Sequence, residues 1–263
     1  MADMNWEGFL KLFFIFLLAV VPSIAWLFYF LKKDSRPEPK RYLLLTFLLG
    51  GLVTIIGSQA ENVWFRPFVQ NNPNLQLGAI LFLFFYPFLE EILKFLAARI
   101  STIKNRYFCD ETNDPMIYMI TAALGFAATE NLKVYFSTIF GSGAILTWQG
   151  IFNIQFSNTV LVNLMATAAI RFLATVFLHA ISAAVIGYFW SFTRTYKKKF
   201  SALLIAFPAG ILLATVLHSL YNYLIMNISK GFGYTLILVV LLVISGAIVS
   251  RAFRQLKNCQ IKK

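Results

Sequence analysis

Apolar residues dominate seven stretches of this chain, and each stretch is close to the length that crosses a lipid bilayer. A helix of about 20 mostly apolar residues spans the hydrocarbon core. The stretches lie at about 8–31, 42–60, 77–100, 116–140, 166–190, 202–226 and 235–250. The pattern predicts an all-α fold: one integral membrane domain over residues 1–263, built as a bundle of about seven transmembrane helices.

Small residues are concentrated in two of the predicted spans. Alanine and glycine recur over 122–128 in the fourth span and over 180–187 in the fifth. Small side chains let membrane helices approach closely. These two spans are therefore expected to form the packed centre of the bundle.

Composition and charge agree with a membrane protein and indicate its orientation. The chain is 59% hydrophobic and 13% charged, and its net charge is +12. Most basic residues follow the first, third, fifth and seventh spans, so the positive-inside rule predicts an external N-terminus and a cytoplasmic C-terminus. Cations at span ends meet the headgroups of the lipid bilayer, and we expect no nucleic-acid partner.

The longest connection without a clear span covers residues 141–165. It is apolar but contains several amide side chains, which is typical of a helix or lid at the membrane interface. An ordinary amphipathic loop fits the same pattern. The sequence leaves the role of this segment open.

Scarce ionisable residues lie inside the spans. Glu90 and Glu91 are adjacent in the third span, and the chain's only two histidines, His179 and His218, fall in the fifth and sixth. A charged side chain in hydrocarbon is costly and is usually functional. We expect these groups to meet in one polar cavity, within a catalytic core at about 77–227.

Spacing within the helices adds partners for these groups. Lys94 lies four residues after Glu90, so one carboxylate would be held by the ammonium while the other faces the cavity. The sequence leaves open which glutamate does which. Asn222 shares a helix face with His218, four residues earlier. Glu130 and Asn131 stand together in the fourth span.

These residue types suit the activation of water. A buried carboxylate is a general base, a histidine can share its proton, and Asn222 could stabilise an oxyanion. Alternatively, His179 and His218 with one or both glutamates, Glu91 among them, could hold Zn²⁺. No HExxH motif is present. A mechanism without a cofactor and one with zinc both stay open.

Four motifs in order resemble those of the PrsW family of intramembrane proteases. They are EEILK at 90–94, GFAATEN at 125–131, FLHAISA at 177–183 and HSLYN at 218–222. KKDSRPEPK at 32–40 is similar to the family's Asp-x-x-x-Glu-Pro segment. More distantly, the chain is similar to the CAAX prenyl endopeptidase and bacteriocin-processing superfamily, although that superfamily has EExxxR where this chain has Lys94.

The resemblance implies proteolysis of a membrane-anchored protein, such as a single-span anti-sigma factor in a stress response, in a bacterial inner membrane. It implies catalytic roles for five residues: Glu90, Glu91, His179, His218 and Asn222. Lys94, Glu130 and Asn131 would support them. The CAAX-type relatives need no metal, whereas PrsW proteins are classed as metalloproteases, so metal dependence stays open.

Other interpretations compete with a protease. Glu130 could pair structurally with Lys133, and Glu90 with Lys94. Arg171 is expected to anchor the outer end of the fifth span by extending to the interface. As whole-protein alternatives, intramembrane Glu and His also serve proton-coupled transporters, and a noncatalytic scaffold would use them only for helix packing.

Overall fold

A computed structural model describes residues 6–34, 36–71, 76–102, 111–141, 156–195 and 199–258. These residues form helices and their connections, and none of them lies in a strand. Seven long helical segments follow one another along the described chain. The prediction of an all-α bundle is confirmed.

Two of the seven segments are interrupted by a π-helical turn, and the α-helices before and after each of these turns are numbered separately. The helices are α1 (Trp6–Leu31), α2 (Lys40–Ala60), α3 (Arg66–Asn71), α4 (Gln76–Thr102), α5 (Asp114–Phe140), α6 (Asn158–Ile170), α7 (Val176–Thr195), α8 (Lys199–Met226) and α9 (Phe232–Asn258). The first π turn, Glu61–Phe65, joins α2 to α3. The second π turn, Arg171–Thr175, joins α6 to α7.

Five helical segments among the described residues are long and apolar enough to cross a membrane. They are Trp6–Leu31, Lys40–Phe68, Asn158–Phe192, Ile205–Met226 and Phe232–Leu256. The remaining two, α4 and α5, have 27 residues each and carry most of the candidate site's charged groups. At 1.5 Å per residue each is about 40 Å long, enough for a bilayer. The orientation with the N-terminus outside stays a prediction.

Helix α5 lies at the centre, as its small residues predict. Every residue from Thr112 to Ala128 is buried. A Cβ atom on Gly125 would lie 1.9 Å from the backbone oxygen of Phe47 in α2, and one on Gly187 would lie 2.5 Å from Cα of Met116. Because only glycine tolerates such contacts, α5 packs backbone-to-backbone against α2 and α7.

The fifth membrane segment begins earlier than the sequence predicts. Ser157 caps α6, its hydroxyl accepting a hydrogen bond from the backbone N–H of Val160 (3.3 Å). Residues 158–165 of the predicted interfacial segment are thus the start of a membrane helix, because Leu164 is buried against Ile15 and Tyr135. The preceding residues 142–155 lie outside the described part of the chain.

Candidate functional site

A cavity of about 270 Å³ lies between α4, α5, the second π turn, α7 and α8. Five residues predicted from the sequence line it: Glu90, Glu130, His179, His218 and Asn222. They come from four helices and are separated by up to 132 positions in the chain. Polar groups of distant spans therefore converge within the bundle. The cavity wall also contains Tyr86, Arg171, Thr175 and Tyr221.

Glu91 is the glutamate held by the lysine. It is fully buried, and one of its oxygens accepts hydrogen bonds from Lys94 Nζ (2.7 Å) and the hydroxyl of Ser182 (3.0 Å). The same oxygen lies 2.8 Å from Nδ1 of His218. Since a charge-assisted bond of this length is strong, Glu91 joins α4 to α7 and α8.

Glu90 faces the cavity instead. Successive residues of a helix are rotated by about 100°, so the neighbour of a paired residue points elsewhere. Oε2 of Glu90 lies 4.0 Å from Lys94 Nζ and 3.5 Å from Nε2 of His218. This oxygen has no hydrogen-bond partner among the residues that the structure describes. The structure thus distinguishes the two glutamates, which the sequence could not do.

His179 has both ring nitrogens engaged. Nδ1 lies 2.9 Å from Lys94 Nζ, and Nε2 lies 2.9 Å from Oε2 of Glu130. An ammonium group can only donate, so Nδ1 accepts; Nε2 then carries the proton and donates to the carboxylate. His179 is therefore a neutral imidazole of the Nε2–H tautomer in this arrangement.

His218 has the opposite arrangement. Its Nδ1 donates to the Glu91 carboxylate, which directs Nε2 toward Glu90 and the cavity. The two histidine rings meet edge to face with centroids 5.1 Å apart. Asn222, one helical turn after His218, lines the same cavity. Of the two imidazoles, His218 is the one with a nitrogen available for chemistry.

Arg171 belongs to this cluster, which corrects the expectation that it anchors a span end. Its Nη2 donates to Oε2 of Glu130 (2.8 Å), and its Nε donates to the side-chain oxygen of Asn131. Asn131 is buried and donates in turn to the backbone oxygen of Ala19 in α1 (3.1 Å). Glu130 is consequently paired with Arg171 and not with Lys133.

Lys133 pairs with a carboxylate that the sequence analysis missed. Its Nζ lies 2.7 Å from Glu61 in the first π turn. Glu61 is 5% exposed and also accepts hydrogen bonds from Arg66 (2.8 Å) and from the hydroxyl of Tyr86 (3.1 Å). Because Tyr86 lines the cavity, this second ion cluster borders the candidate site.

The second π turn places Arg171, and contacts on two sides hold the turn. The indole N–H of Trp26 in α1 donates to the backbone oxygen of Phe172 (2.9 Å). The hydroxyls of Thr175 and Tyr221 are hydrogen-bonded at 2.7 Å. A π turn inside a helix is frequently found at functional sites.

The cluster of possible metal ligands in the structure differs at one residue from the set predicted from the sequence. One ligand atom each of Glu90, His179 and His218 lies within 4.8 Å of the others. Glu91, the predicted third ligand, is taken up by Lys94 and does not reach the cavity wall. Two imidazoles and a carboxylate are a donor set that Zn²⁺ uses. The residues therefore fit a metal ion if His179 exchanges its hydrogen bond to Glu130.

Three further carboxylates meet near the connection between α1 and α2. Oxygens of Asp34, Glu111 and Asp114 lie within 4.8 Å of one another. Burial and the neighbouring Glu111 carboxylate raise the pKa of Asp34 to about 7. Glu38 accepts a hydrogen bond from the hydroxyl of Tyr118 (2.6 Å). The KKDSRPEPK segment is thus fastened to the start of α5, away from the cavity.

Curated relatives agree with the resemblance in the motifs. Protease PrsW of Bacillus subtilis (strain 168) is 26% identical over 227 residues, covering 86% of this chain and 88% of that protein. Protease PrsW of Halalkalibacterium halodurans is 25% identical, with coverages of 86% and 90%. Protease PrsW of Clostridioides difficile (strain 630) is 30% identical over 126 residues, 47% of this chain and 51% of that protein. No solved structure matches the fold.

The family comparison covers most of the chain and includes every motif of the cavity. The model of the family described as "PrsW family intramembrane metalloprotease" matches residues 38–248. That range begins before the glutamate pair and ends after the HSLYN motif. The chain belongs to the PrsW family of intramembrane proteases.

Proposed function

We propose that the cavity is the active site and that Glu90, with His218, activates the water molecule that hydrolyses a peptide bond. The supporting observation is the position of Glu90: unlike Glu91 it lines the cavity, and its Oε2 lies 3.5 Å from Nε2 of His218 without a hydrogen bond among the described residues. A buried carboxylate oxygen without a hydrogen bond is a strong proton acceptor. Glu91, although adjacent, has its charge satisfied by Lys94.

The proposed reaction uses each cavity residue at a defined atom. Glu90 takes a proton from water while the water oxygen bonds to the carbonyl carbon of the substrate. The side-chain amide of Asn222 donates a hydrogen bond to the oxyanion that forms. The carbon–nitrogen bond then breaks, and the proton passes from Glu90, directly or through His218, to the leaving amine. Water and one peptide give a carboxylic acid and an amine.

The remaining polar residues keep this pair oriented. Glu91 accepts the Nδ1 proton of His218, so Nε2 is the nitrogen that faces the reacting atoms. Lys94 connects Glu91 with His179, and its ammonium also lies 4.9 Å from the ring centre of Phe126. Supporting residues of this kind hold catalytic groups in a productive geometry.

Zinc would be held by Glu90, His179 and His218, the three residues whose ligand atoms converge. A bound Zn²⁺ supplies Lewis acidity: it lowers the pKa of water and polarises a carbonyl oxygen. Elemental analysis of the purified protein, combined with cleavage assays before and after chelation, tests this addition. One metal atom per chain and loss of cleavage on chelation would make the metal part of the site.

We propose a membrane-anchored protein as the substrate and the bacterial cytoplasmic membrane as the location. The cavity lies within the helix bundle, so a peptide bond at or near the bilayer is the one that it can reach. The relatives are bacterial proteases. The resemblance in the motifs points further to a single-span protein similar to an anti-sigma factor.

The test is cleavage of a single-span substrate by purified protein in lipid vesicles. Glu90→Gln should abolish the defined fragment, because the amide cannot accept the proton of water. Thr215→Val is the control: Thr215 is buried one turn before His218 and bonds only to its own helix, at the backbone oxygen of Ile211 (2.9 Å). Cleavage that persists in Glu90→Gln would refute the proposed base.

A further inference from the structure

Arg171 carries a positive charge into the cavity wall, yet the proposed reaction has no step for it. Its side chain is 12% exposed, and it forms the ion pair with Glu130 at 2.8 Å. Among the residues that the structure describes, Glu130 pairs with no other cation at this distance, since Lys94 and Lys133 are bonded to other carboxylates. Arg171 is thus the charge that balances Glu130 beside the candidate catalytic groups.

The carboxylate of Glu130 connects Arg171 to His179. The same oxygen, Oε2, accepts the hydrogen bond from Arg171 and lies 2.9 Å from Nε2 of His179. A guanidinium is planar and donates in a fixed fork, here to Glu130 and Asn131 together. The fork therefore fixes both the position and the direction of the carboxylate oxygen that the imidazole meets.

The second π turn sets the distance between the two partners. Arg171, Thr175 and His179 follow each other at intervals of four and lie on one side of the segment. A π turn adds about one residue to a helical turn, which rotates the residues before it relative to those after it. Trp26 holds this turn from α1 through its bond to the backbone oxygen of Phe172.

From this geometry we infer that Arg171 is a positioning residue, which fixes Glu130 and through it holds His179 in the Nε2–H tautomer, with Nδ1 directed at Lys94. In that state Lys94 is shared between His179 and Glu91, and Glu91 remains placed to orient His218. The chain from Arg171 to His218 is continuous through hydrogen bonds. The effect of Arg171 on cleavage rests on the proposed function, whereas its effect on the tautomer of His179 does not.

The tautomer can be observed directly because the chain has only two histidines. Protein labelled with ¹⁵N-histidine in lipid vesicles gives two imidazole spectra, which His218→Asn assigns. In the unaltered protein, the spectrum of His179 should show a protonated Nε2 and an unprotonated Nδ1. In Arg171→Gln we expect a mixture of tautomers at His179, since the carboxylate oxygen is no longer fixed. Arg171→Lys keeps the charge beside Glu130 but not the fork, so we expect it to restore the Nε2–H form only in part.

Cleavage by the same preparations measures the consequence for the reaction. Loss of a residue that orients a functional histidine through a hydrogen bond typically lowers activity by about 10- to 100-fold, and we expect a loss in that range for Arg171→Gln. The matched control is Arg66→Gln, which removes a different arginine–glutamate pair (2.8 Å) without contact to a histidine. It should leave the His179 spectrum unchanged.

Several results would overturn the inference. In the unaltered protein, a protonated Nδ1 or a metal-bound Nε2 of His179 would contradict the tautomer. In the variants, an unchanged His179 spectrum in Arg171→Gln, or an equal change of that spectrum in Arg66→Gln, would contradict the role of Arg171. The spectrum of the unaltered protein needs no variant that could fail to fold. If the spectra behave as expected while Glu90→Gln still cleaves, the positioning role stands and the proposed function fails.

Discussion

The adjacent residues Glu90 and Glu91 should respond differently to the same conservative change. Glutamine keeps the shape of glutamate and removes its charge. Glu91→Gln withdraws the anion that accepts three hydrogen bonds, including those of Lys94 and Ser182, at a fully buried position. Glu90→Gln alters an oxygen whose nearest ionisable neighbours, His218 and Lys94, lie at 3.5 and 4.0 Å.

The expected magnitudes follow from what each change leaves behind. Removing one partner of a buried ion pair costs about 3–5 kcal/mol, because the other charge stays buried without compensation. Glu91→Gln leaves Lys94 in that position and should lower the free energy of unfolding by about this amount. Glu90→Gln leaves no such charge, so its free energy of unfolding should stay within about 1 kcal/mol of the unaltered protein.

Two measurements on the same purified variants distinguish these roles. Unfolding by denaturant in mixed micelles reports stability, and cleavage of a single-span substrate reports activity. We expect Glu90→Gln to be stable and inactive, and Glu91→Gln to be both destabilised and impaired. If the two variants lost equal stability, or if Glu90→Gln lost more, our assignment of Glu91 as the ion-paired residue would be refuted.

Three smaller predictions concern packing, pH and the second π turn. Gly125→Ala should cost at least about 1–3 kcal/mol of unfolding free energy, since its Cβ would lie 1.9 Å from the oxygen of Phe47; no change would contradict the close crossing of α2 and α5. The pKa of Asp34 is raised to about 7 in the folded protein, so between about pH 4 and pH 7 the folded state holds a proton that the unfolded state has lost. The free energy of unfolding should therefore fall over this range and then level off. Asp34→Asn should remove that slope in unfolding measured against pH. Trp26→Phe should lower the unfolding free energy by about 0.5–1.5 kcal/mol by breaking its bond to the π turn, whereas Trp64→Phe, at a position 70% exposed, should not.

The helices and their number could be predicted because bilayer thickness imposes a length on each apolar run. The start of the fifth segment was placed about eight residues late. Its first turns, from Asn158, contain asparagines among apolar residues, and this mixture resembles an interfacial segment. Leu164 packs against α1 and α5, which makes these first turns part of the long helical segment. The sequence does not show these contacts because they join residues far apart in the chain.

The members of the site could also be predicted, but their pairing could not. Which glutamate meets Lys94 depends on the partners that each carboxylate finds on other helices, and Glu91 is fixed by bonds to α7 and α8. For the same reason, the cluster of possible metal ligands contains Glu90, whereas the sequence prediction has Glu91. Arg171 was misinterpreted because its partner Glu130 lies 41 positions away. Its spacing of eight residues from His179, two turns along one helix face, was the available signal.

The charges around the cavity do not cancel. Glu90, Glu91 and Glu130 contribute three negative charges, and Lys94 and Arg171 contribute two positive ones, which leaves −1 while the histidines are neutral. The proton that Glu90 takes from water would bring this sum to zero, whereas a divalent cation would carry it to +1. Peptide hydrolysis needs a proton that moves from water to the leaving amine, and a cluster with one unbalanced negative charge can hold that proton between the two steps.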